Sequence, residues 1–469
     1  MTNASSQPLI RCKWPHGLPI MRPHWASRDK TLGRECATRR EAGPHTPKND
    51  CDTRAYLLAS PATMNQQPPT AVTGARLHAL DNLRAILMWL GIVLHVVAIY
   101  GFEPSPIIWR DEKRTVLADL LMAAIHAFRM PAFFILAGFF AMLLAKSRGP
   151  GGLLRHRLAR LALPFAVFWP FLWAASGLAA LAFLNRIALG HWGLDMAVIA
   201  NLPVPQGPNT MHLWFLWMLL WFCVATSVLL RLPRARFTPA ASALAWLARQ
   251  PWGFAVLALP LLAAGASYPR GFLVASGAFL PPWNEWLHNG LFFVFGLMLH
   301  GRQTELFAQF QRRWALCAAA GLLFYWGTGV VMHLHGPELL GAYFYHCAGW
   351  LWSFACIGMA LKFLQPRHAV LGYLSDSAYW VYLLHFPLTI LFGALLYQLP
   401  LPALLKIALN IAATTVICLG SYQLFVRHTW VSTLLNGKRH PQLTPALTML
   451  QSMRRRQATA DHHQHLEQK

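Results

Sequence analysis

Two residues that a lipid bilayer disfavours, Arg84 and His95, lie in the apolar segment LRAILMWLGIVLHV at positions 83–96. A helix turns 100° and rises 1.5 Å per residue, so an interval of eleven places both side chains on one face, about 16 Å apart. An arginine can grip a phosphate or carboxylate, and an imidazole can accept a proton near neutral pH. The pattern therefore predicts an anion site joined to a general base.

Each of these two residues also has a structural explanation. An arginine at the edge of a span can extend to water, and Asp81 lies one turn before Arg84. A neutral His95 bonded to a neighbouring helix is the alternative to catalysis. An ionisable group inside a span costs roughly 2.5–3.5 kcal/mol on insertion scales, which favours a functional role for His95.

A second unusual segment is HAFRMPAFFILAGFF, which begins at His126. His126 and Arg129 are three residues apart and share a helix face. The apolar spans contain very few acids, and Asp119 and Glu285 lie near the outer boundary. We therefore predict a polar pocket between the first two spans, in which Arg129 holds an anion supplied by a ligand. The alternative is an arginine that pairs with a carboxylate of the protein.

The composition indicates a membrane protein. The chain is 56% hydrophobic and 12% charged, whereas soluble domains carry about 25% charged residues. Its net charge of +23 comes from basic residues in loops and tails between apolar segments. This distribution is typical of membrane topology and excludes a nucleic-acid-binding face. The eight cysteines form no CxxC pair, so we predict neither a metal site nor a disulfide framework.

A spanning helix needs about 20 apolar residues, and the sequence predicts an all-α fold with about ten of them. The predicted spans are 83–101, 118–145, 161–184, 211–230, 252–268, 287–300, 314–332, 343–363, 378–398 and 402–426. The loops at 146–160, 231–251, 301–313 and 362–377 are basic, which places them and both termini in the cytoplasm. The sixth span is short, and the fifth and sixth can be redrawn around Pro260 and Pro281.

Three regions follow from this pattern. Residues 1–75 are predicted to be a disordered basic cytoplasmic tail, 76–430 the membrane domain, and 431–469 a second basic cytoplasmic tail. Translation starting at Met64 is an alternative account of the first region.

Five motifs together resemble the acyltransferase-3 family of integral membrane O-acyltransferases. They occur in order between about 77 and 430: LDNLRAILMWLGIVLH, FRMPAFFILAGFF, RHRLARLALPF, MHLWFLWMLL and YLSDSAYWVYLLHFPLTI. The segments SDSAYWVYLLHFPL and HAFRMPAFF are most similar to the branch that contains periplasmic glucan succinyltransferases.

The resemblance implies a multi-pass enzyme of the bacterial inner membrane. Such enzymes move an acyl group, here acetyl or succinyl, from cytosolic acyl-CoA to a hydroxyl of a periplasmic or lipid-linked glycan. Acyl-CoA is then a substrate, and no bound cofactor is expected. The first-span arginine and histidine are essential in the family, which carries over to Arg84 and His95.

Roles can be assigned to the remaining candidates. His95 suits the base that activates the acceptor hydroxyl. No nucleophile elbow or Cys–His pair is visible, so direct attack is favoured over an acyl-enzyme, although His95 itself could be acylated. Arg84, Arg157 and Arg160 are candidates for the CoA phosphates, and positive-inside topology explains the last two equally well.

Three histidines and one arginine complete the predicted site. His126 and Arg129 would polarise the thioester carbonyl or pair with the free carboxylate of a succinyl group. His212, at the outer face, could contact a sugar, and His385, about 10 Å from the cytoplasmic side, could line the donor path. A structural histidine held by hydrogen bonds is the alternative for both.

Two other functions fit the same buried charges. A transporter or flippase would use the buried arginines and histidines to bind an anionic substrate or relay protons. A non-enzymatic scaffold of a glucan-synthesis complex would need neither His95 nor acyl-CoA.

Overall fold

The chain forms an all-α membrane protein. The computed structural model describes residues 69–103, 107–200, 202, 207–233, 238–265, 268, 273–365 and 369–439, with side chains from His78 onward. Within these ranges there is no β-strand, and the predicted fold class is confirmed. The helices are α1 Pro69–Val97, α2 Val116–Arg157, α3 Leu163–Leu189, α4 Trp214–Leu229, α5 Thr238–Arg249, α6 Gly253–Gly265, α7 Trp283–Gly301, α8 Gln303–His333, α9 Glu338–Phe363, α10 Ala369–Leu396, α11 Ala403–Ser421 and α12 Trp430–Asn436.

Each of the ten predicted spans overlaps one of these helices. Seven helical stretches of the described chain are long and apolar enough to cross a membrane, and one of them, Val116–Leu189, contains both the second and third predicted spans. The fifth and sixth spans correspond to α6 and α7, which lie outside those seven stretches. α6 has only 13 residues, and α7 carries polar side chains in its first two turns. Of the predicted tails, 1–75 and 431–469, residues 1–68 and 440–469 lie outside the described residues. Residues 69–75 are part of α1 and residues 431–436 are part of α12.

The cytoplasmic loops contain more helix than the charge pattern predicted. α2 continues through the predicted loop at 146–160 as far as Arg157, with one non-helical residue, Gly149, at a φ of 72°. α8 begins at Gln303, inside the predicted loop at 301–313. Arginine and lysine favour helices, so basic residues indicated the membrane boundary without ending the helix.

The helices that carry the candidate site are held together closely. α1 packs against α2 and α10, and α2 packs along α7. Gly138 of α2 lies against the carbonyl of Phe293, and Gly296 of α7 lies against the carbonyl of Ile135, so neither position has room for a side chain. Small residues allow helix backbones to approach in a membrane. The α2–α7 pair is therefore a firm support for polar side chains on both helices.

A buried ion pair fixes the outer loop that follows α1. The ammonium of Lys406, at the start of α11, lies 3.0 and 2.9 Å from the two carboxylate oxygens of Asp111 and donates to the carbonyl of Tyr397 at 2.8 Å. Both charged side chains are fully buried. The hydroxyl of Tyr397 donates to Glu112 at 2.9 Å. These bonds tie the loop to the outer ends of α10 and α11, and the sequence analysis missed them.

Candidate active site

A small internal cavity brings together residues from four helical segments. Its volume is about 20 Å³, enough for a water molecule or a few substrate atoms. Its lining comprises Met88 and His95 of α1, Arg129, Met130 and Phe133 of α2, His212, Trp214 and Phe215 at the start of α4, and Tyr382 of α10. The predicted polar pocket between the first two helices thus also includes α4 and α10. We call it the reaction cavity.

His95 is the least restrained of the histidines in this cavity. Its ring centroid lies 5.2 Å from that of His385 and 4.9 Å from that of Phe386. Across the described residues, neither ring nitrogen of His95 has a hydrogen-bond partner in the protein. The imidazole is therefore available to accept a proton from a bound molecule.

His385 and His212 each use one ring nitrogen for structure and leave the other unpartnered. The carbonyls of Val381 and Tyr382 lie 3.1 and 2.8 Å from Nδ1 of His385, so this nitrogen carries the proton. Nε2 of His212 donates to the carbonyl of Leu383 at 3.1 Å. Nε2 of His385 and Nδ1 of His212 are buried without a partner in the described chain. Both are lone-pair acceptors; His212 lines the reaction cavity, and His385 is not part of the lining but lies beside His95 and His212.

The start of α4 is shaped to bring His212 into the cavity. Met211 has a φ of 48°, a conformation that costs a side-chain-bearing residue about 1–3 kcal/mol. Its amide donates to the side chain of Asn209 at 3.0 Å, and the hydroxyl of Thr210 donates to the carbonyl of Gly277 at 2.9 Å. These bonds compensate the strain and fix the turn that precedes His212.

Arg129 is a buried cation without an acidic partner in the described chain. Only 7% of the residue is exposed, and no carboxylate lies within 4 Å of it among the described residues. Its Nε donates to the carbonyl of Leu87 at 2.9 Å, and its guanidinium carbon lies 5.7 Å from the centroid of the Phe133 ring. The Nε bond sets the direction of the side chain, and Nη1 donates to the sulfur of Met130 at 3.6 Å. In the described chain Nη2 has no such bond and remains for another acceptor.

The two acids near the outer boundary bind backbone amides instead. Asp119 accepts from the amides of Phe102 and Glu103 at 2.9 and 3.1 Å, and Glu285 accepts from the amide of Ser276 at 2.7 Å. They stabilise outer loops and do not neutralise Arg129.

Part of the predicted polar face of α1 lines the reaction cavity. Met88 and His95 line the reaction cavity, and Gly91, between them, faces the guanidinium of Arg129 and Nε2 of His385. Arg84 precedes these residues on the same stripe, since intervals of four, seven and eleven residues return to one face. Arg84 itself is exposed and lies 3.5 Å from Asp81, the pairing noted as the alternative. It stands at the inner rim, outside the cavity.

Arg157 and Arg160 have different surroundings at the cytoplasmic side. The guanidinium of Arg160 donates to the carbonyls of Thr433 and Leu434, at the end of α12. Nε of Arg157 is buried and has no hydrogen-bond partner in the described part of the chain, and Arg84 lies within its electrostatic range. Arg84 and Arg157 thus form a basic pair, whereas Arg160 already binds backbone oxygens.

His126 belongs to a second cavity, also of about 20 Å³, and does not line the reaction cavity. Nε2 of His126 donates to the carbonyl of Leu273 at 2.7 Å. His288, Asn289 and His346 line the same cavity and were missed by the sequence analysis. The available signal was the presence of histidines inside two predicted spans, His288 and His300 in 287–300 and His346 in 343–363.

His385 lies further along its helix than the sequence predicted. α10 begins at Ala369, nine residues before the assumed start at 378, so His385 is about 24 Å from the start of the helix and about 16 Å from its end at Leu396. Because the start of a helix does not mark the membrane boundary, the position about 10 Å from the cytoplasmic side stays a prediction. The clustered histidines offer no metal site either, because no group of three or more possible ligands in the described chain is arranged to hold one.

Comparison with known proteins identifies the family. The profile described as an acyltransferase domain matches residues 77–423. Curated relatives named glucans biosynthesis protein C occur in Salmonella gallinarum and Salmonella paratyphi A, each 24% identical over 398 and 403 residues, respectively. These matches cover 79% of this chain and 97% of each relative. No solved structure shows a significant match to this chain.

Proposed function

This chain belongs to the acyltransferase family, and we propose that it moves an acyl group from cytosolic acyl-CoA to a hydroxyl of a periplasmic or lipid-linked glycan. The enzyme class follows from the match over residues 77–423. The glycan acceptor is supported by the name of the relatives, glucans biosynthesis protein C. A location in the bacterial inner membrane accords with the basic cytoplasmic loops.

One observation carries the proposal: within the described residues, an imidazole without a hydrogen-bond partner and a guanidinium without a carboxylate partner line the same cavity. Acyl transfer needs a base at the attacking hydroxyl and a positive charge at the carbonyl oxygen. His95 supplies the first and Arg129 the second. A transporter would also hold an anion with Arg129, but membership of an acyltransferase family favours the reaction.

The reaction can be written with these two residues. The acceptor oxygen attacks the thioester carbonyl carbon while its proton passes to His95. The carbonyl oxygen becomes negative and is held by the terminal nitrogens of Arg129. The carbon–sulfur bond then breaks, the ester remains on the acceptor, and His95 returns the proton to the departing thiolate. General-base assistance of this kind is worth roughly 10²–10⁴ in rate.

Direct attack fits the cavity better than a covalent enzyme intermediate. No serine, threonine or cysteine side chain is part of the lining of either described cavity. The unpartnered nitrogens of His212 and His385 can accept hydrogen bonds from hydroxyl groups. We assign these two histidines to orienting the acceptor hydroxyl toward His95.

The donor would enter along the stripe on α1. Arg84 and Arg157 form the basic pair at the inner rim, where a guanidinium can bind the CoA phosphates. The stripe from Arg84 through Met88 and Gly91 to His95 covers about 16 Å, a distance that an extended thioester arm must bridge. Arg160 would act on this entrance indirectly, by positioning α12.

The identity of the acyl group depends on what Arg129 binds. An acyl group with a free carboxylate, such as succinyl, would offer an anion to the guanidinium. An acetyl group would offer only its carbonyl oxygen. The absence of an acidic partner for Arg129 in the described chain is compatible with both donors.

The test is acyl transfer by the purified protein in proteoliposomes. Radiolabelled acetyl-CoA and succinyl-CoA are supplied on one side with short glucan oligosaccharides, and labelled glucan is measured. We expect transfer by the wild type, loss with His95→Ala, and retention with His300→Ala, a buried histidine outside both cavities. Movement of glucan without donor consumption would contradict the proposal and favour the transporter.

A further inference from the structure

The second cavity contains a set of polar side chains that the reaction described above does not use. His126 of α2, His288 and Asn289 of α7, and His346 of α9 all line it. Asn289 is fully buried and His346 is 3% exposed. Nδ2 of Asn289 and Nε2 of His346 have no hydrogen-bond partner in the described part of the chain. A buried polar group without a partner costs about 1–3 kcal/mol, so such atoms point to a ligand.

The hydrogen bonds within the cluster define what the cavity offers. Nε2 of His126 donates to Leu273, which leaves its Nδ1 as an acceptor. Nδ1 of His288 lies 3.2 Å from Oδ1 of Asn289 and donates to it, which leaves its Nε2 as an acceptor. The amide nitrogen of Asn289 is a donor. The cavity thus presents both donors and acceptors over a short distance.

The chemistry of the lining selects a neutral ligand. No lysine, arginine, aspartate or glutamate is part of this lining, in contrast to the reaction cavity with its guanidinium. A carboxylate or phosphate would therefore bind better in the reaction cavity. A hydroxyl group is both donor and acceptor and matches the mixed set. A volume of about 20 Å³ is enough for one hydroxyl or hydroxymethyl substituent.

The location of the cavity connects it to the acceptor. Met130 and Trp214 line both cavities, so the two are separated by one layer of side chains. His288 lies about 8 Å and His346 about 12 Å from the outer ends of their helices. Leu273, in the outer loop between α6 and α7, completes the lining.

That outer loop is held in place above the cavity by three contacts. The amide of Ser276 donates to Glu285 at 2.7 Å, and Nε1 of Trp217 donates to the carbonyl of Phe279 at 2.6 Å. Thr210 donates to the carbonyl of Gly277. The part of this loop described from Leu273 onward therefore covers the second cavity, on the side where the predicted topology places the periplasm.

From these observations we infer that the second cavity is an acceptor subsite, which binds an uncharged hydroxyl-bearing substituent next to the hydroxyl that is acylated. Asn289 and His346 donate or accept hydrogen bonds at this substituent, and Trp214 forms the wall between it and the reaction cavity. The inference rests on the proposed function, because it presupposes a polyhydroxyl acceptor.

The experiment compares Asn289→Leu and His346→Phe with the wild type in the proteoliposome assay. Leucine and phenylalanine keep much of the side-chain volume and remove the hydrogen-bonding atoms. Loss of one neutral hydrogen bond corresponds to about a three- to tenfold change. We expect KM for the glucan oligosaccharide to rise by that factor and KM for acyl-CoA to stay within twofold. The rate of acyl-CoA hydrolysis without glucan should be unchanged.

The matched control is His300→Phe. His300 is a buried histidine at the inner end of α7, it also has an unpartnered ring nitrogen in the described chain, and it lines neither cavity. It should leave both KM values unchanged. His346→Gln, which restores a donor and an acceptor, serves as the milder variant if the phenylalanine variant fails to fold.

The outcomes separate the inference from the proposed function. A change in KM for acyl-CoA, or an unchanged KM for the glucan, contradicts the acceptor subsite. The proposed acyltransferase function still stands in that case if the wild type transfers the label to glucan. A wild type that consumes acyl-CoA but labels no glucan defeats the proposed acceptor and the subsite together. A selective rise in KM for the glucan supports both.

Discussion

Replacing Gly91 with alanine tests the position of the Arg129 guanidinium directly. A Cβ atom at residue 91 would lie 2.6 Å from Nη2 of Arg129, 3.3 Å from its Cζ and 3.5 Å from Nε2 of His385. Ordinary contacts between such atoms are about 3.5 Å, so the guanidinium must move by about 1 Å. The hydrogen bond from Nε to Leu87 and the burial of the side chain hold the rest of Arg129 in place. The terminal nitrogens, which face the reaction cavity, are therefore the atoms that move.

The expected effect on activity is large and the effect on folding is small. A displacement of about 1 Å in a positioned catalytic group costs about 10²-fold in rate. Alanine is better than glycine inside a helix by about 0.5–1 kcal/mol, which offsets the steric adjustment of one long side chain. We therefore expect Gly91→Ala to lower kcat about 10- to 100-fold and to keep an unfolding temperature close to that of the wild type.

The assay is initial-rate acyl transfer in proteoliposomes, with thermal unfolding in detergent measured on the same preparations. Gly329→Ala is the control, because a Cβ at that position in α8 meets nothing within 4 Å. It should retain full activity. A Gly91→Ala protein that reacts as fast as the wild type would refute the role given to the guanidinium, since the group would have moved without consequence.

Three further predictions concern single groups. His95→Ala should lower kcat by about 10²–10⁴ through loss of the base, whereas Arg84→Ala should mainly raise KM for acyl-CoA. Steady-state kinetics measure both parameters. A raised KM for His95→Ala together with a lowered kcat for Arg84→Ala would contradict these assignments. Arg129→Lys keeps the charge but loses the planar fork and should lower single-turnover rates about 10²- to 10³-fold; an unchanged rate would leave Arg129 as a packing residue. Lys406→Met leaves the Asp111 carboxylate buried and unpaired and should lower the free energy of unfolding by about 3–5 kcal/mol, with recovery when Asp111→Leu is added. Equal unfolding temperatures for Lys406→Met and the wild type would contradict this.

The sequence predicted ten of the twelve α-helices in the described chain and three groups of the reaction cavity, His95, Arg129 and His212. Apolar length located these ten helices, whereas α5 and α12 lie in segments predicted as a loop and a tail. The cost of placing ionisable groups in lipid then marked His95 and Arg129, which meet in one cavity. Both inferences depend on the lipid bilayer, because the bilayer restricts which residues can occur in a membrane-spanning segment.

What the sequence could not predict was which helices become neighbours. The grouping of His126 with His288 and His346 depends on contacts of α2 with α7 and α9, and helix periodicity says nothing about such partners. The pair of Asp111 and Lys406 was missed for the same reason, since 295 residues separate them. The helix that carries His385 also starts nine residues before the predicted span, shortly after Pro366 and Arg367, because the sequence analysis placed the start by apolar content and not by this proline.

The bonds of Arg160 to α12 have a practical consequence for anyone shortening or tagging this protein. Thr433 and Leu434 supply the carbonyls that hold this guanidinium, and Gly437, at a φ of 77°, ends the helix in a left-handed turn beside it. A truncation before Thr433 would remove both carbonyls and leave the Arg160 guanidinium without these hydrogen bonds. Affinity tags and fluorescent fusions therefore belong downstream of Arg439, separated from the helix by a flexible linker.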